Sequence, residues 1–154
     1  MLKDLWKRVT DTLGEQSAQP AEDRKSAIRI ATAALLVEVA RADHDFDPDE
    51  FSRLLSLVES HFDLLPDDAA ALANRADQRV DESVSLHEFT RVLHENLTVE
   101  EKAEVVEMLW TVAYADGRLD MYEDSTVLKI SDLLYVPRGE VMRSKHIVKN
   151  RAGK

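Results

Sequence analysis

The stretches "LLVEVARADHDFDPDEFSRLL", residues 35–55, and "MLWTVAYADGRLDMYEDSTVL", residues 108–128, align at a constant offset of 73 without a gap. Leu36, Val39, Ala40, Ala42, Asp43, Asp47, Glu50, Ser52 and Leu55 recur as the same residue types in the second stretch, and the apolar pairs Phe46/Leu119, Leu54/Val127, Leu57/Ile130 and Phe62/Tyr135 keep the register. Beyond them the offset slips by two, so that Pro66 pairs with Pro137. A duplicated unit of this size buries its apolar face most simply against its own copy. The repeat therefore predicts an all-α, single compact helical domain of seven or eight helices. It is built from a duplicated helical hairpin with pseudo-twofold symmetry.

Helix starts are marked by side chains that satisfy the first free N–H groups. Asp47, Pro48 and Glu50 form an N-cap, a first-position proline and a capping-box partner; Ser85 with Glu88, Thr98 with Glu101, and Asp120 with Glu123 repeat the box. "SAIRIATAALLVEVARA" from Ser26 to Ala42 is rich in Ala and Leu with no breaker, and reads as a helix buried on several sides. Pro66 opens a helix over "PDDAAALANRA", "DQRVDES" reads as a polar connector, and Pro137 opens the last helix. Near the start, Leu2, Leu5, Trp6, Val9 and Leu13 fall on one helical stripe ahead of Gly14, which suits docking on the domain, on a partner or on a membrane surface. The domain division is thus 1–25 for an amphipathic helix and linker, 26–148 for the helical domain, and 149–154 for a basic C-terminal tail.

A formal charge of −10 argues against nucleic acid as a partner, because phosphate binding depends on clustered Lys and Arg. The chain has no cysteine, which removes disulfides, thiolate metal sites and cysteine nucleophiles and suits a reducing cytoplasm. No apolar run is long enough for a membrane span, so no transmembrane segment is expected. The histidines lack paired ligand spacing, "HEFTR" is not a zinc-protease "HExxH", and neither a glycine-rich phosphate loop nor "GxSxG" occurs. The chain is not expected to be an enzyme.

The shared acids, Asp43, Asp47 and Glu50 in one copy and Asp116, Asp120 and Glu123 in the other, carry the chemistry. Capping accounts for Asp47, Glu50, Asp120 and Glu123. Asp43 and Asp116 each end a helix, where the backbone partial charge is negative and a carboxylate is disfavoured by roughly 0.3 to 1 kcal/mol. Such placement calls for a compensating cation, either an ion or an Arg or Lys from elsewhere in the fold. An all-oxygen cluster of this kind suits the hard cations Ca²⁺, Mg²⁺ or Mn²⁺. It is not an EF-hand, since Pro48 stands where that loop needs glycine and Leu54 where it needs a bidentate Glu.

"ARADHDFDPDE" and "AYADGRLDMYE", each after an apolar helix, resemble the tellurite-resistance protein TerB family over about residues 26 to 148. The resemblance implies an all-helical fold from a duplicated unit. It also implies a divalent metal held by Asp43, Asp47, Glu50, Asp116, Asp120 and Glu123, and a cytoplasmic bacterial stress-response setting beside other tellurite-resistance or membrane-associated proteins. A site peripheral to the inner membrane is compatible with that setting. The first copy departs from the family pattern, with His44 where glycine is usual. Two functions follow as expectations: an accessory module that binds a divalent metal through the duplicated acidic motif, or a metal-free helical scaffold whose acidic surface recruits a partner.

Overall fold

The computed structural model describes residues 21–42, 48–115, 117 and 119–152. Among these are seven helices and no strand: α1 (Ala21–Ala40), α2 (Pro48–Phe62), α3 (Pro66–Glu82), α4 (His87–Asn96), α5 (Val99–Ala113), α6 (Met121–Leu133) and α7 (Arg138–Ala152). The apolar stripe at Leu2, Leu5, Trp6 and Val9 lies outside the described residues.

Packing follows the duplication. Within each half the first helix packs on the second and third: α1 on α2 and α3, α5 on α6 and α7. Between halves α1 meets α5, and each also crosses the second helix of the other half, α1 against α6 and α5 against α2. That reciprocity is what a pseudo-twofold axis between α1 and α5 produces. The two central helices are correspondingly apolar: Leu35, Leu36, Val39, Leu109, Trp110 and Val112 have no exposed surface. Each such side chain contributes roughly 1.5 to 3 kcal/mol of burial. Among the described residues α4 has no counterpart in the second half, and it packs on α1 and α6.

The equivalence reaches individual hydrogen bonds. Arg41 N donates to Val37 O at 2.9 Å and Ala42 N to Val39 O at 3.2 Å; in the second copy Tyr114 N donates to Trp110 O at 2.9 Å and Ala115 N to Val112 O at 3.1 Å. Both second helices end on a left-handed residue, Asp63 (φ 54°) and Tyr135 (φ 63°). The next N–H then reaches back five residues, Leu64 N to Glu59 O at 3.0 Å and Val136 N to Ser131 O at 3.1 Å, the bond of a Schellman ending. The register therefore slips by one, where proline pairing predicts two. Ala69 N bonds Leu65 O and Val141 N bonds Pro137 O, so Pro137 is equivalent to Leu65 and Pro66 already lies inside its helix.

Three further expectations are corrected. The central helix α1 spans Ala21–Ala40 instead of starting at Ser26 and ending at Ala42. "DQRVDE" is the end of α3 and not a connector. It contains no Gly or Pro, Val80 packs on the core, and Arg41 from α1 holds Asp77 and Asp81 at 2.9 and 2.8 Å. The expected box of Ser85 and Glu88 does not form, and Leu86 stands at the N-cap of α4 with no side-chain cap. Ser85 Oγ accepts from His87 N at 3.3 Å, but Glu88 pairs with Arg79 instead of returning to the Ser85 backbone. The box of Thr98 forms in full, with Glu101 N to Thr98 Oγ1 at 3.1 Å and Thr98 N to Glu101 Oε1 at 2.8 Å.

Candidate acidic site

The two acidic turns join α1 to α2 and α5 to α6. Asp43, Asp47 and Asp116 lie outside the described residues, as does His44; Glu50, Asp120 and Glu123 are described. In the second copy the chain leaves α5 through Gly117, whose φ of +87° gives the left-handed stop that its position predicts, with Gly117 N on Tyr114 O at 2.9 Å. Asp120 then caps α6: its Oδ1 accepts from Tyr122 N at 2.6 Å, and its own N–H donates to Glu123 Oε1 at 3.3 Å. In the first copy α2 begins at Pro48, as the cap pattern requires.

Burial separates these acids from ordinary caps. Glu101 performs the same capping role at the start of α5 and is exposed. Glu50 and Glu123, at the same third helical position, are each only 1% exposed. Capping needs no burial, and a buried carboxylate must be compensated. The pseudo-twofold packing gives both halves this buried glutamate, and a capping pattern read from sequence does not reveal it.

The fold also brings its own cations to the helix ends that lead into the turns. Arg41 follows α1 and is held by Asp77 and Asp81. In the second copy Lys145 of α7 lies 2.7 Å from Asp124 Oδ1, in the first turn of α6, and 5.2 Å from the centre of the Trp110 ring. Trp110 is fully buried and its Nε1 donates to Val141 O at 3.0 Å, which fixes α7 against α5. The neighbouring Tyr114 hydroxyl is pushed above its ordinary range by burial, with Lys145 opposing and Asp124 adding to the shift. The pairing of Lys145 with Asp124 is not legible in the sequence, because the two are joined only by the packing of α7 on α6.

Among the described residues, no three His, Asp or Glu side chains gather in a group that would hold a metal. Of the scattered histidines, His94 has structural surroundings: its Nδ1 lies 2.6 Å from the Nζ of buried Lys102, and its ring packs on Tyr135 with centroids 4.7 Å apart. No described helix is long and apolar enough to cross a membrane.

Neither a curated protein nor a solved structure matches this chain. The family described as tellurite resistance protein TerB does match, over residues 29–146. That span contains α2 through α6, both acidic turns and most of α1 and α7, and the chain belongs to the TerB family.

Proposed function

We propose that this TerB-family chain is a non-catalytic accessory module of a bacterial stress or tellurite-resistance system that binds a divalent cation through its duplicated acidic turns. The observation that carries this reading is the burial of Glu50 and Glu123 beside the exposure of Glu101, three glutamates at one helical position. The residues that would hold the ion are Glu50, Asp120 and Glu123, with Asp43, Asp47 and Asp116. Their chemistry is all-oxygen and anionic, which fits Ca²⁺, Mg²⁺ or Mn²⁺. Bound, the ion would neutralise the turns and tie the two hairpins together. The expected partners are other resistance or membrane-associated proteins, in the cytoplasm or at the periphery of the inner membrane.

A second reading is a metal-free interaction scaffold with an acidic surface. The placement of Lys145 on Asp124 favours it, because the fold then sets a cation of its own in the first turn of α6, beside the second acidic turn.

Thermal unfolding of metal-stripped protein with and without each ion separates the two. A ligand specific to the folded state stabilises it by about 2.7 kcal/mol at a hundredfold excess over Kd. The metal reading expects Glu50→Gln and Glu123→Gln to remove that rise while Glu101→Gln keeps it. No response to any of the three ions would end the metal reading, and salt-sensitive capture of a basic partner would then support the scaffold.

A further inference from the structure

In chain order α4 directly precedes α5, as the stripe of Leu2, Leu5, Val9 and Leu13 precedes α1. Leu86, Phe89, Leu93 and Leu97, in α4 and at its two ends, match that stripe at a single offset of 84. Here the four face the core: Leu86, Phe89 and Leu93 are buried and Leu97 packs on it half-buried. The repeated unit thus begins with an apolar segment ahead of its first helix, and the pseudo-twofold axis assigns the first copy of that segment a place.

The seat of α4 shows where that place is. On the two helices that α4 packs against, Ala31, Ala34 and Leu35 of α1 and Ile130 and Leu134 of α6 are at most 2% exposed. Their equivalents at offset 73, Glu104, Glu107 and Met108 of α5 with Leu57 and His61 of α2, line a groove of about 510 Å³. Its floor is apolar, with Met108 and Val148 buried and Leu57 half-buried, while Arg53, His61, Glu104 and Arg151 are exposed at its rim. An amphipathic helix fits such a groove. The rim carries both signs of charge, Arg151 pairing with Glu107 at 2.8 Å, so it is the duplication that names the occupant.

The same comparison gives direction and reach. Leu86 and His87, at the start of α4, adjoin Arg41, Ala42 and Thr126, whose equivalents in the other groove are Tyr114, Ala115 and Arg53. At the other end of α4, His94 meets Lys102 of α5 and Tyr135 at the end of α6. Arg29 of α1 is the equivalent of Lys102, and its guanidinium lies 5.8 Å from the centre of the Phe62 ring at the end of α2. Arg29 stands eight residues beyond Ala21, where α1 starts, a rise of roughly 12 Å. Residues 14–20 reach roughly 23 to 25 Å when extended, enough to return along α1 within one chain.

We propose that the segment carrying Leu2, Leu5, Trp6, Val9 and Leu13 docks as a helix in the groove between α5 and α2 of its own chain, its start at Arg53 and Ala115 and its end beside Phe62. The domain then covers the stripe that a membrane surface or a partner would otherwise meet. This docking is independent of metal binding at the acidic turns.

The chain has no cysteine, so one introduced thiol can carry a nitroxide on the ¹⁵N-labelled full chain. Asp4 and Asp11 lie opposite the stripe at helical spacing. A label at Asp4→Cys should broaden the amides of Arg53, Thr111 and Ala115 most strongly, and a label at Asp11→Cys should move the maximum to His61 and Phe62; reduction of the nitroxide restores both. Val9→Glu, which changes the segment and no residue of α1–α7, should abolish both maxima and leave the remaining amides in place. Maxima on another face, such as Ala71 or Ile147, or maxima that survive Val9→Glu, would overturn the proposal. So would broadening carried between chains, seen when labelled ¹⁴N protein is mixed with unlabelled ¹⁵N protein, because the occupant would then come from a second copy. Absence of any maximum, whether or not the stripe then binds phosphatidylglycerol vesicles, would overturn it as well.

Discussion

Arg41 and Tyr114 occupy one position in the two halves, and each closes its helix with a 2.9 Å bond to the carbonyl four residues earlier, yet their side chains do opposite things. Tyr114 is buried at 7% exposure. Arg41 reaches outward to Asp77 and Asp81 and keeps the polar end of α3 helical. Arg41→Ala should cost about 1 kcal/mol in all, since both pairs are partly exposed. The diagnostic change is local: amide exchange in the last turn of α3, Asp81 to Ser83, should accelerate while α5 and α6 keep their protection. Uniform acceleration across the domain would show that Arg41 supports the whole fold.

Glu38 makes stability depend on pH in a direction unusual for a carboxylate. Its folded value is raised from the ordinary 4.5, chiefly by burial. The folded state therefore holds the proton more tightly than the unfolded chain. This contribution is complete below the unfolded value and is lost as pH rises through the raised folded value. Glu38→Gln removes the dependence, so its stability relative to the parent should grow as pH rises from about 4 towards 7. Urea midpoints measured across that range check it; parallel curves would mean that the Glu38 carboxyl is ordinary.

How far the fold was legible depended on whether the determining contacts were local. Asp120 with Glu123, Thr98 with Glu101, and Pro48 start their helices through groups within one turn, and all three starts stand where the sequence puts them. The end of α3 was misread because the residue that stabilises it, Arg41, is 36 positions from Asp77. Glu88 left its expected cap for Arg79 for a similar reason, a partner on the preceding helix. Within the acidic pattern, sequence reading identified Glu50 and Glu123 as caps, and only packing distinguishes them from exposed Glu101. Glu38 against Thr111 and Arg41 against Tyr114 are mismatches inside the most similar part of the repeat, and they mark where the surfaces of the two copies differ.

Two glycines should respond to alanine with opposite signs. An added Cβ meets no atom within 4 Å at either Gly117 or Gly139, so space does not decide the outcome. Gly117 has a φ of +87°, where a Cβ is strained, and Gly117→Ala should destabilise by about 1 kcal/mol. Gly139 lies in α7, and Gly139→Ala should stabilise by roughly 0.4 to 1 kcal/mol through lower entropy of the unfolded chain. Chemical denaturation of the two variants checks the pair. Unchanged or raised stability of Gly117→Ala would refute the backbone account of Gly117.

Tyr135 is a bulky side chain in the left-handed position that ends α6, with φ at 63° and 74% of its surface exposed. The full Schellman pattern surrounds it, Tyr135 N on Asp132 O at 3.0 Å and Val136 N on Ser131 O at 3.1 Å, so the backbone cannot relax without breaking both bonds. Its ring recovers part of the strain by packing on His94. Tyr135→Ala should lose the ring contact and keep the strain, whereas Tyr135→Gly should lose the contact and relieve the strain. The glycine variant is therefore expected to be the more stable of the two by about 1 kcal/mol. Equal stability of the two, measured by urea denaturation, would mean that the chain end after α6 rearranges when the ring is removed.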